Sequence, residues 1–466
     1  LNHIDDAAAA YQSIFHLGSC LRGGTVEKMK EDGSKNAIIF KGKEYTYEAL
    51  VEQIEDYYII ISKQINRGEI VSIISDYSFQ SIALFLALYE NRNIIVPITT
   101  KINQEIVDRI RVANSDYRIE IDDKLNIYKT TEKTEDHPLV IRLQEYHHSG
   151  LILFSSGSTG APKAMIHNLD NLVDSYKGKR GKNIVFLIFL MFDHIGGLNS
   201  LLNCLSMGVT MVFPEHREPE HVAELIEKYK VNILPASPTF LNLMLISESN
   251  SGYNMSSLRM ITYGTEPMPD SLLLKLKTAF PRVKFLQTFG TSETGISQTT
   301  SRSSDSTFLK IDDPNTEIKI VKGELWIRSK TQVMGYLNSS MERFTEDGWF
   351  KTGDLVEEAS DGYIKIVGRS KELINVGGEK VLPSEVESVL FQIPNLVDCI
   401  VYGEKNFITG MIVVAKVLFK EPLKPSEAKK QIVQFCNGKL DRYKIPAKVI
   451  LMTESEYSER FKKKRL

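Results

Sequence analysis

The segment LILFSSGSTGAPKAMIHN, residues 151–168, passes from an apolar run into small and hydroxylated residues and contains one lysine, Lys163. Small side chains let several backbone N–H groups converge on one anion, so the segment predicts a phosphate-binding loop. It is not a P-loop, because that pattern places Ser or Thr after a Gly-Lys pair, whereas Lys163 stands between Pro162 and Ala164. It also lacks the GxGxxG that opens a helix in dinucleotide-binding folds. A flexible surface turn is the competing interpretation.

Two later segments contain acids that suit phosphate chemistry. Glu293, in QTFGTSETG (287–295), offers the carboxylate oxygen that a hard cation such as Mg²⁺ prefers. Asp354 lies in GWFKTGDL (348–355). Taken alone, Glu293 could be a solvated loop acid and Asp354 a turn aspartate. The prediction of function therefore depends on the ordered set of motifs. The others, in chain order, are YGTEPM (263–268), GELWIRS (323–329), GYIKIVGRSKELINVGGEKVLPSEVE (362–387) and YKIP…RFKKKRL (443–466).

This ordered set resembles the motifs of the adenylate-forming enzymes, which include acyl- and aryl-CoA synthetases, luciferases and peptide-synthetase adenylation domains. The resemblance extends from about residue 45 to the end of the sequence. It implies a reaction in two halves: a carboxylate attacks the α-phosphate of ATP to give acyl-AMP and pyrophosphate, and a thiol then displaces AMP. Negative charge accumulates in the first half, which therefore needs cations and hydrogen-bond donors.

The resemblance implies the nucleotide-binding residues. Glu293 would hold Mg²⁺, with Ser292 beside it donating to the α-phosphate. Phe289, where Tyr is usual, would stack on one face of adenine. Asp354 would accept the ribose hydroxyls, and Arg369 would reach ribose or phosphate. The remaining implied residues are the phosphate loop (Ser155, Ser156, Gly157, Ser158, Thr159, Gly160 and Lys163), the loop on adenine's other face (Thr265, Glu266 and Pro267) and Gly290.

The C-terminal motifs resemble a rotating lid. Lys371 would lie at its hinge. Gly377 and Gly378 would let a lid loop pass close to the thiol of CoA or of a carrier protein. Lys462 would bridge the acid and the phosphate during adenylation. The family pattern has Gly where this chain has Phe461, so Lys463 and Lys464 remain alternatives to Lys462, as does a solvated basic tail.

The segment MFDHIGGLN (191–199) predicts part of the acyl site. His194 matches a family histidine that lines this site near the carboxylate, although a lone histidine is more often structural. Asp193 fits amino-acid-activating relatives, in which an aspartate holds the substrate ammonium, whereas the following residues fit carboxylic-acid-activating relatives better. Gly264 and Gly295 are further candidate substrate residues. The acid itself, aromatic, fatty or amino, stays open.

The alternation of elements predicts the fold that positions these motifs. Strand, helix and strand patterns recur up to about residue 290, which favours parallel α/β sheets, and alternating antiparallel patterns follow after about residue 310. With the resemblance, this predicts an α/β protein with a large N-terminal domain of stacked α/β subdomains plus a β-rich part, and a small mobile α+β C-terminal lid domain. The expected limits are residues 1–368, a hinge at 369–373 and the lid at 374–466.

Composition and charge bear on the possible partners and the cellular location. The net charge of −2 over 466 residues does not favour nucleic acid as a partner, and the longest apolar run, 184–192, is too short to span a bilayer. The first ten residues, LNHIDDAAAA, do not resemble a signal peptide, although the sequence lacks an initiator Met. The four scattered cysteines include no CxxC pair, which favours a reducing cytoplasm. Oligomeric state cannot be inferred.

Three hypotheses remain from the sequence. The first is an ATP-dependent ligase that joins a small carboxylic acid to CoA with Mg²⁺ as cofactor; the GGEKV form at 377–381 favours it. The second is a stand-alone adenylation enzyme that loads an amino or acyl group onto a phosphopantetheinyl carrier protein. The third is a member that binds nucleotide without catalysis, which Phe461 and the early C-terminus suggest.

Overall fold

The structure is a computed structural model that describes residues 33–122, 124–155 and 162–464. Its strands, in chain order, are β1 (Asn36–Phe40), β2 (Lys43–Thr46), β3 (Ile70–Ile74), β4 (Ile94–Ile98), β5 (Tyr117–Ile121), β6 (Leu125–Lys129), β7 (Gly150–Ser155), β8 (Lys163–Asn168), β9 (Val185–Leu187), β10 (Thr210–Phe213), β11 (Ile233–Ala236), β12 (Met260–Tyr263), β13 (Lys284–Gln287), β14 (Phe289–Thr291), β15 (Gly295–Ser297), β16 (Thr299–Ser301), β17 (Phe308–Ile311), β18 (Thr316–Val321), β19 (Glu324–Ser329), β20 (Gly335–Tyr336), β21 (Phe350–Glu358), β22 (Ile364–Arg369), β23 (Ile374–Val376), β24 (Glu379–Val381), β25 (Leu396–Asn406), β26 (Gly410–Phe419) and β27 (Lys448–Leu451).

The helices of the same described ranges, in chain order, are α1 (Tyr47–Gln64), α2 (Phe79–Glu90), α3 (Asn103–Ala113), α4 (Pro138–Glu145), α5 (Leu169–Asp174), α6 (Ile195–Met207), α7 (Pro219–Tyr229), α8 (Pro238–Ile246), α9 (Ser249–Gly252), α10 (Asp270–Ala279), α11 (Pro383–Leu390) and α12 (Pro425–Cys436). Short 3₁₀ turns lie at Ser370–Glu372 and Arg442–Lys444. None of these helices combines the length and the apolar content needed to cross a membrane.

Two seven-stranded sheets form the N-terminal layers. The first has the order β13-β12-β11-β9-β10-β1-β2, and the second has the order β20-β8-β7-β4-β3-β5-β6. Strands such as β3 and β4 are runs of Ile and Val buried along almost their whole length, as expected where helices cover both faces of a parallel sheet. Helix α2 begins with a capping box between Ser78 and Ser81 and is buried along most of its length between the layers.

The glycine-rich segment connects two antiparallel strands of the second sheet. Strands β7 and β8 pair so that Ser155 lies opposite Lys163, which places both residues at the open end of this hairpin. The predicted phosphate-loop residues Ser156, Gly157, Ser158, Thr159 and Gly160 lie outside the described residues. Lys163 is therefore positioned by its pairing within the sheet.

An antiparallel sheet and a separate C-terminal domain complete the fold. The six-stranded sheet β16-β17-β22-β21-β19-β18 contains β19, in which buried and half-buried residues alternate as the sequence predicted. The C-terminal sheet, β24-β23-β26-β25 with β27 on β26, packs against α11 and α12 around its own core. The turn Ser370–Glu372 joins the two sheets inside the predicted hinge; the domain limits themselves stay a prediction.

The C-terminal domain contacts α8 and α10 of the first domain. The side-chain amide of Asn242 donates to the carbonyl of Val397 (3.0 Å), and the Ser271 hydroxyl donates to the carbonyl of Ser388 (3.0 Å). The three described cysteines, Cys204, Cys399 and Cys436, are buried thiols. The predicted α/β architecture with a small α+β C-terminal domain is therefore observed.

Helix α6 approaches the preceding loop so closely that it requires glycine. A Cβ at Gly197 would lie 2.0 Å from the carbonyl oxygen of Met191, whereas a Cβ at Gly181 would come no closer than 3.7 Å to the carbonyl oxygen of Met207. Overpacking of this kind costs about 1–3 kcal/mol. We therefore expect Gly197→Ala to lower the midpoint of thermal unfolding and Gly181→Ala to leave it unchanged. Equal midpoints for the two variants in calorimetry would contradict the close approach.

Candidate active site

A cavity of about 510 Å³ lies where the two domains meet, a volume typical of small-molecule sites. The hairpin β7–β8, the start of α6, the loop after β14, the antiparallel sheet and the C-terminal segment all contribute to its wall. The sequence-predicted residues that line it are Ser155, Lys163, His194, Thr265, Gly290, Ser292, Glu293, Arg369, Lys371 and Lys462. Residues more than 300 positions apart in the chain are thus brought to one cavity.

Positive charge dominates this cavity. Among the described residues that line it, one is an acid, Glu293, and six are cationic: Lys163, Arg343, Arg369, Lys371, Arg460 and Lys462. Arg369 and Arg460 have carboxylate partners behind the wall, Asp354 and Asp193, but the remaining like charges repel one another, so an anion in the cavity would be stabilised. A polyphosphate supplies several negative charges in a small volume. The cavity therefore has the charge expected of a site for such a group.

Glu293 is held at the cavity by Tyr336, a tyrosine on β20 of the second sheet. The Tyr336 hydroxyl donates to Glu293 Oε1 (2.9 Å), and Arg343 Nη1 lies 3.7 Å from the same oxygen. Lys163 Nζ lies 5.6 Å from the centre of the Tyr336 ring. The hydrogen bond and the ion pair that described side chains make with Glu293 both involve Oε1, which leaves Oε2 available as a ligand. No group of three or more potential metal-ligating side chains occurs in the described residues, so a cation here would also need phosphate oxygens and water.

Asp354 and Arg369 form an ion pair beneath the cavity. They lie opposite each other on β21 and β22, and Arg369 Nε donates to Asp354 Oδ1 (3.0 Å). Burial raises the pKa of Asp354, and the charge of Arg369 opposes this change. The side chain of Asp354 is almost completely buried, but Gly353 next to it lines the cavity. The pair could present one acceptor and one cation to a ligand.

The loop after β12 reaches the cavity through its backbone. Thr265 lines the wall with φ of +73°, a left-handed conformation that is uncommon for threonine, and its hydroxyl is buried without a partner among the described residues. Gly264 lies behind it, because a Cβ there would be 2.7 Å from the Thr288 carbonyl oxygen. Glu266 faces away and accepts from the backbone N–H of Thr239 (2.8 Å) and of Lys463 (3.3 Å). Pro267 lines a smaller pocket beside Lys463.

Phe289 is not brought to the cavity. Its ring is buried in the core of the antiparallel sheet with Leu309, Leu325 and Ile364. The sequence predicted that its aromatic face would meet a base, but the wall at this point consists of its neighbours Thr288 and Gly290. An aromatic residue next to several β-strands is apolar enough to join their core, which the motif alone does not reveal.

His194 presents one nitrogen as a donor. It caps α6, and its Nδ1 accepts from the backbone N–H of Gly196 (3.1 Å). Burial and the charges of Lys462 and Arg460 lower the pKa of His194 well below its ordinary value, so the ring is neutral at neutral pH. Because Nδ1 is an acceptor in the neutral ring, the proton lies on Nε2. His194 can therefore donate to an anion in the cavity.

Asp193 is already paired with cations. Arg109 Nη1 donates to its Oδ2 (2.9 Å), and Arg460 Nη2 lies 3.5 Å from the same oxygen. The Asp193 side chain is only 3% exposed and does not line the cavity. The sequence left Asp193 as a candidate for holding a substrate ammonium, but two guanidinium groups occupy its surroundings. Its contacts connect α3 to the C-terminal segment.

The three consecutive lysines point in different directions. Lys462 lines the cavity, and burial, together with the charges of Arg369 and Arg460, lowers its pKa to about 8, although Glu266 and Asp354 oppose this change. Lys463 Nζ instead donates to the buried carboxylate of Glu387 (3.1 Å) and to the carbonyl of Cys399 (2.7 Å). Lys464 is exposed. Of the three, only Lys462 is placed to act on a ligand.

Phe461 anchors the C-terminal segment. Its φ is +50°, a left-handed conformation that glycine adopts at little cost and that a bulky residue rarely adopts. The ring packs against Phe189 and Phe240, with centroids 5.2 and 5.3 Å away, and the Ser237 hydroxyl donates to the Phe461 carbonyl (2.5 Å). Apolar packing offsets the unfavourable backbone conformation and fixes Lys462 beside it.

The predicted lid loop lies away from the cavity. Gly377 and Gly378 form the exposed turn between β23 and β24, with φ of +62° and +96° and no heavy atom within 4 Å of a Cβ built at either. The structure therefore places Lys462, and not this loop, at the cavity.

Two sequence families match most of this chain. The family described as AMP-binding enzyme matches residues 26–337, and the one described as AMP-binding enzyme C-terminal domain matches residues 385–462. The chain belongs to the AMP-binding enzyme family. The resemblance predicted from the ordered motifs is confirmed.

Known members of the family show different extents of similarity. The 4-coumarate–CoA ligase-like 9 protein of Arabidopsis thaliana is 31% identical over 320 residues, or 63% of this chain and 57% of that protein. The 2-succinylbenzoate–CoA ligase of Listeria monocytogenes (strain EGD-e) is 24% identical over 449 residues, or 91% of this chain and 94% of that protein. The crystal structure of the anthranilate CoA ligase AuaEII in complex with anthranoyl-AMP matches with a TM-score of 0.79 at 20% identity, over 95% of this chain and 94% of that one.

These matches confirm the α/β fold with its separate C-terminal domain. The chain spans little more than half the length of the Arabidopsis protein, and the crystal structure is too distant in sequence to transfer more than its fold. The activity therefore has to be argued from the site.

Sequence reasoning missed three residues of the site: Tyr336, Arg343 and Arg460. Tyr336 and Arg343 follow the GELWIRS motif and lie outside every quoted motif, so only their contact with Glu293 identifies them. Arg460 had a signal, because it lies two residues before Lys462 in a basic segment.

Loss of the Asp193 charge should destabilise the fold. Asp193→Asn leaves Arg109, whose side chain is 13% exposed, with only the more distant Glu105 at 3.5 Å. Breaking a buried pair on one side costs about 3–5 kcal/mol, and we expect the lower end of that range. Asp174→Asn is the control, since Asp174 is 57% exposed in its pair with Lys177 and should change stability by less than about 1 kcal/mol. Similar unfolding midpoints for both variants would contradict a structural role for Asp193.

Proposed function

We propose that this protein is an ATP-dependent acid–thiol ligase that activates a carboxylic acid as acyl-AMP and transfers the acyl group to CoA. The observation that carries the proposal is the set of six cations at a cavity with one acid, with Lys462 half-buried among them. Family membership supports the adenylation chemistry. The CoA ligases among its relatives favour CoA as the thiol.

The proposed first step forms one bond and breaks one bond at phosphorus. A carboxylate oxygen of the acid attacks the α-phosphorus of ATP, and the bond to the bridging oxygen breaks, so that pyrophosphate leaves with the electron pair. Lys462 places its positive charge between the two reacting anions, and His194 donates from Nε2 to orient the acid carboxylate. Lys163, Arg343 and Arg369 surround the remaining phosphate oxygens. Cations fixed before the reaction stabilise developing charge without reorganising.

The proposed second step transfers the acyl group. The CoA thiol loses its proton to solvent and its sulfur attacks the acyl carbon. The bond between the acyl carbon and the phosphate oxygen breaks, and AMP leaves with that oxygen and the electron pair. Gly377 and Gly378 are the proposed lid loop for this step, which requires the C-terminal domain to turn about residues 369–373.

Magnesium fits the first step. Glu293 would hold the ion through its free Oε2 together with phosphate oxygens and water, and the ion would neutralise phosphate charge.

Two other functions are less well supported. An enzyme that activates amino acids would need a carboxylate for the substrate ammonium, but Asp193 is paired with Arg109 and Arg460. A member without catalysis was suggested by Phe461, but Phe461 keeps the left-handed conformation and Lys462 lines the cavity. Transfer of the acyl group to a carrier protein remains the alternative to transfer to CoA. The two reactions differ in which thiol becomes acylated.

Pyrophosphate exchange into ATP tests the proposal. A panel of aliphatic, aromatic and amino acids should give exchange with at least one carboxylic acid, and added CoA should then yield the acyl thioester. Absence of exchange with the whole panel would refute adenylation. Exchange without CoA acylation, but with acylation of a phosphopantetheinyl carrier protein, would refute the choice of thiol.

Substitution of the three lysines should separate their roles. We expect Lys462→Met to lower the exchange rate about a hundredfold or more, because a charge at the reacting oxygens is lost, while thioester formation from added acyl-AMP is largely kept. Lys464→Met should match the wild type, since Lys464 is exposed. Lys463→Met should lower stability, because it leaves buried Glu387 without the Lys463 ammonium. Normal exchange by Lys462→Met would remove its proposed role.

The pH dependence should report the charge of Lys462. Its pKa of about 8 means that the ammonium is present below this pH and is lost as the pH rises through it. The kcat/KM for ATP in exchange should therefore fall above about pH 8, by up to tenfold per pH unit. Lys462→Arg should be slower but should lack this fall, because arginine stays protonated. The same fall in both enzymes would assign it to another group.

A further inference from the structure

A second, smaller cavity adjoins the candidate active site. It measures about 150 Å³ and shares Ile195, Asn199 and Ile296 with the larger cavity. It extends from there past α6 to Tyr176 and Lys179 on one side and to Ser297 and Asp313 on the other. The two cavities therefore lie on either side of the same three side chains, two of which are isoleucines.

The smaller cavity offers hydrogen-bond donors. Lys179 Nζ donates to Asn203 Oδ1 (2.6 Å), and the Tyr176 hydroxyl donates to Asn199 Oδ1 (2.6 Å). Because an ammonium can only donate, Asn203 must turn its oxygen to Lys179, and its Nδ2 then has no partner among the described residues. The Nδ2 of Asn199 also lacks one there. Two amide groups and the remaining protons of Lys179 are therefore available to an acceptor.

The Lys179 charge lacks a counter-ion in the described part of the chain. No carboxylate of the described residues lies within ion-pair distance of its Nζ. Asp313 is the acid across the cavity, but its two oxygens accept from the backbone N–H groups of Asn315 (2.8 Å) and Gln298 (2.9 Å). Lys182 adds a second positive charge nearby. Burial and Lys182 lower the pKa of Lys179, and Asp313 only partly opposes them. An anion in this cavity would relieve this unfavourable burial of charge.

We propose that the smaller cavity binds a second carboxylate at the far end of the acid substrate, so that the substrate is a dicarboxylic acid with an apolar spacer. The spacer would pass Ile195 and Ile296, and the far carboxylate would accept from Lys179 and from the amides of Asn199 and Asn203. A purely apolar end would instead cover these donors without satisfying them, which costs free energy. This inference rests on the proposed adenylation activity and adds the class of its substrate.

Matched pairs of acids in the exchange assay test the inference. One series consists of α,ω-dicarboxylic acids of three to ten carbons, and a second series consists of aromatic dicarboxylic acids. Each diacid is compared with the monocarboxylic acid that has a methyl group or a hydrogen in place of the far carboxylate. At the best length we expect kcat/KM for the diacid to exceed that for its partner at least tenfold. Lys179→Met should lower this ratio at least tenfold, and Asn203→Asp should lower it too, because it gives Lys179 a carboxylate. Lys177→Met, an exposed lysine two residues away, should keep the wild-type ratio.

The outcomes separate the two proposals. Exchange with monoacids, combined with no diacid preference at any length, overturns the inference and leaves the ligase proposal in place. A diacid preference that Lys179→Met and Asn203→Asp both leave unchanged also overturns it, and if Lys179→Met does not fold, the ratio in Asn203→Asp decides. No exchange with either class refutes the ligase proposal, and the inference falls with it.

Discussion

The concentration of positive charge between the two domains is the constraint on which this structure depends. Six cationic side chains line one cavity, and Glu293 is the acid that lines it with them. Mutual repulsion would disperse these side chains if each were not held by its own element: a β-hairpin for Lys163, the antiparallel sheet for Arg369 and the anchored C-terminal segment for Lys462. The free energy of folding offsets the repulsion among these charges. An anionic ligand therefore meets cations that are already in place, which favours its binding.

Apolar packing, rather than ion pairing, positions the most important of these charges. Phe461 is held by Phe189 and Phe240, and the backbone N–H of Lys463 donates to Glu266 of the first domain. Hydrophobic contacts do not weaken when a ligand changes the local charge, whereas ion pairs do. Lys462 can therefore keep its position while its partners change. Arg460 and Asp193 add a charged contact on the other side of the segment.

Local pattern was sufficient for much of the fold and part of the site. The strand and helix patterns around β3, α2 and β4 are short, apolar and clearly separated, so their type and order followed from the sequence. Glu293, Arg369 and Lys462 each lie in a motif of the sequence, and all three line the cavity. Tyr336 and Arg343 were not found, since only their contacts with Glu293, distant in sequence, identify them and they have no pattern of their own. The structure buries the ring of Phe289 in the core of the antiparallel sheet, a position that the motif alone does not show.

The sequence by itself determined the family, the order of the elements and the chemical types present at the site, because these depend on residues that are close together in the chain. Tertiary structure alone decided which of Lys462, Lys463 and Lys464 lines the cavity. It also set the left-handed backbone of Phe461 and the pairing of Asp193 with Arg109. It also brought Lys179 and Asn203 to a cavity beside the site. The physical reason is that neutralisation and burial depend on groups distant in sequence, and only the packed chain sets those distances.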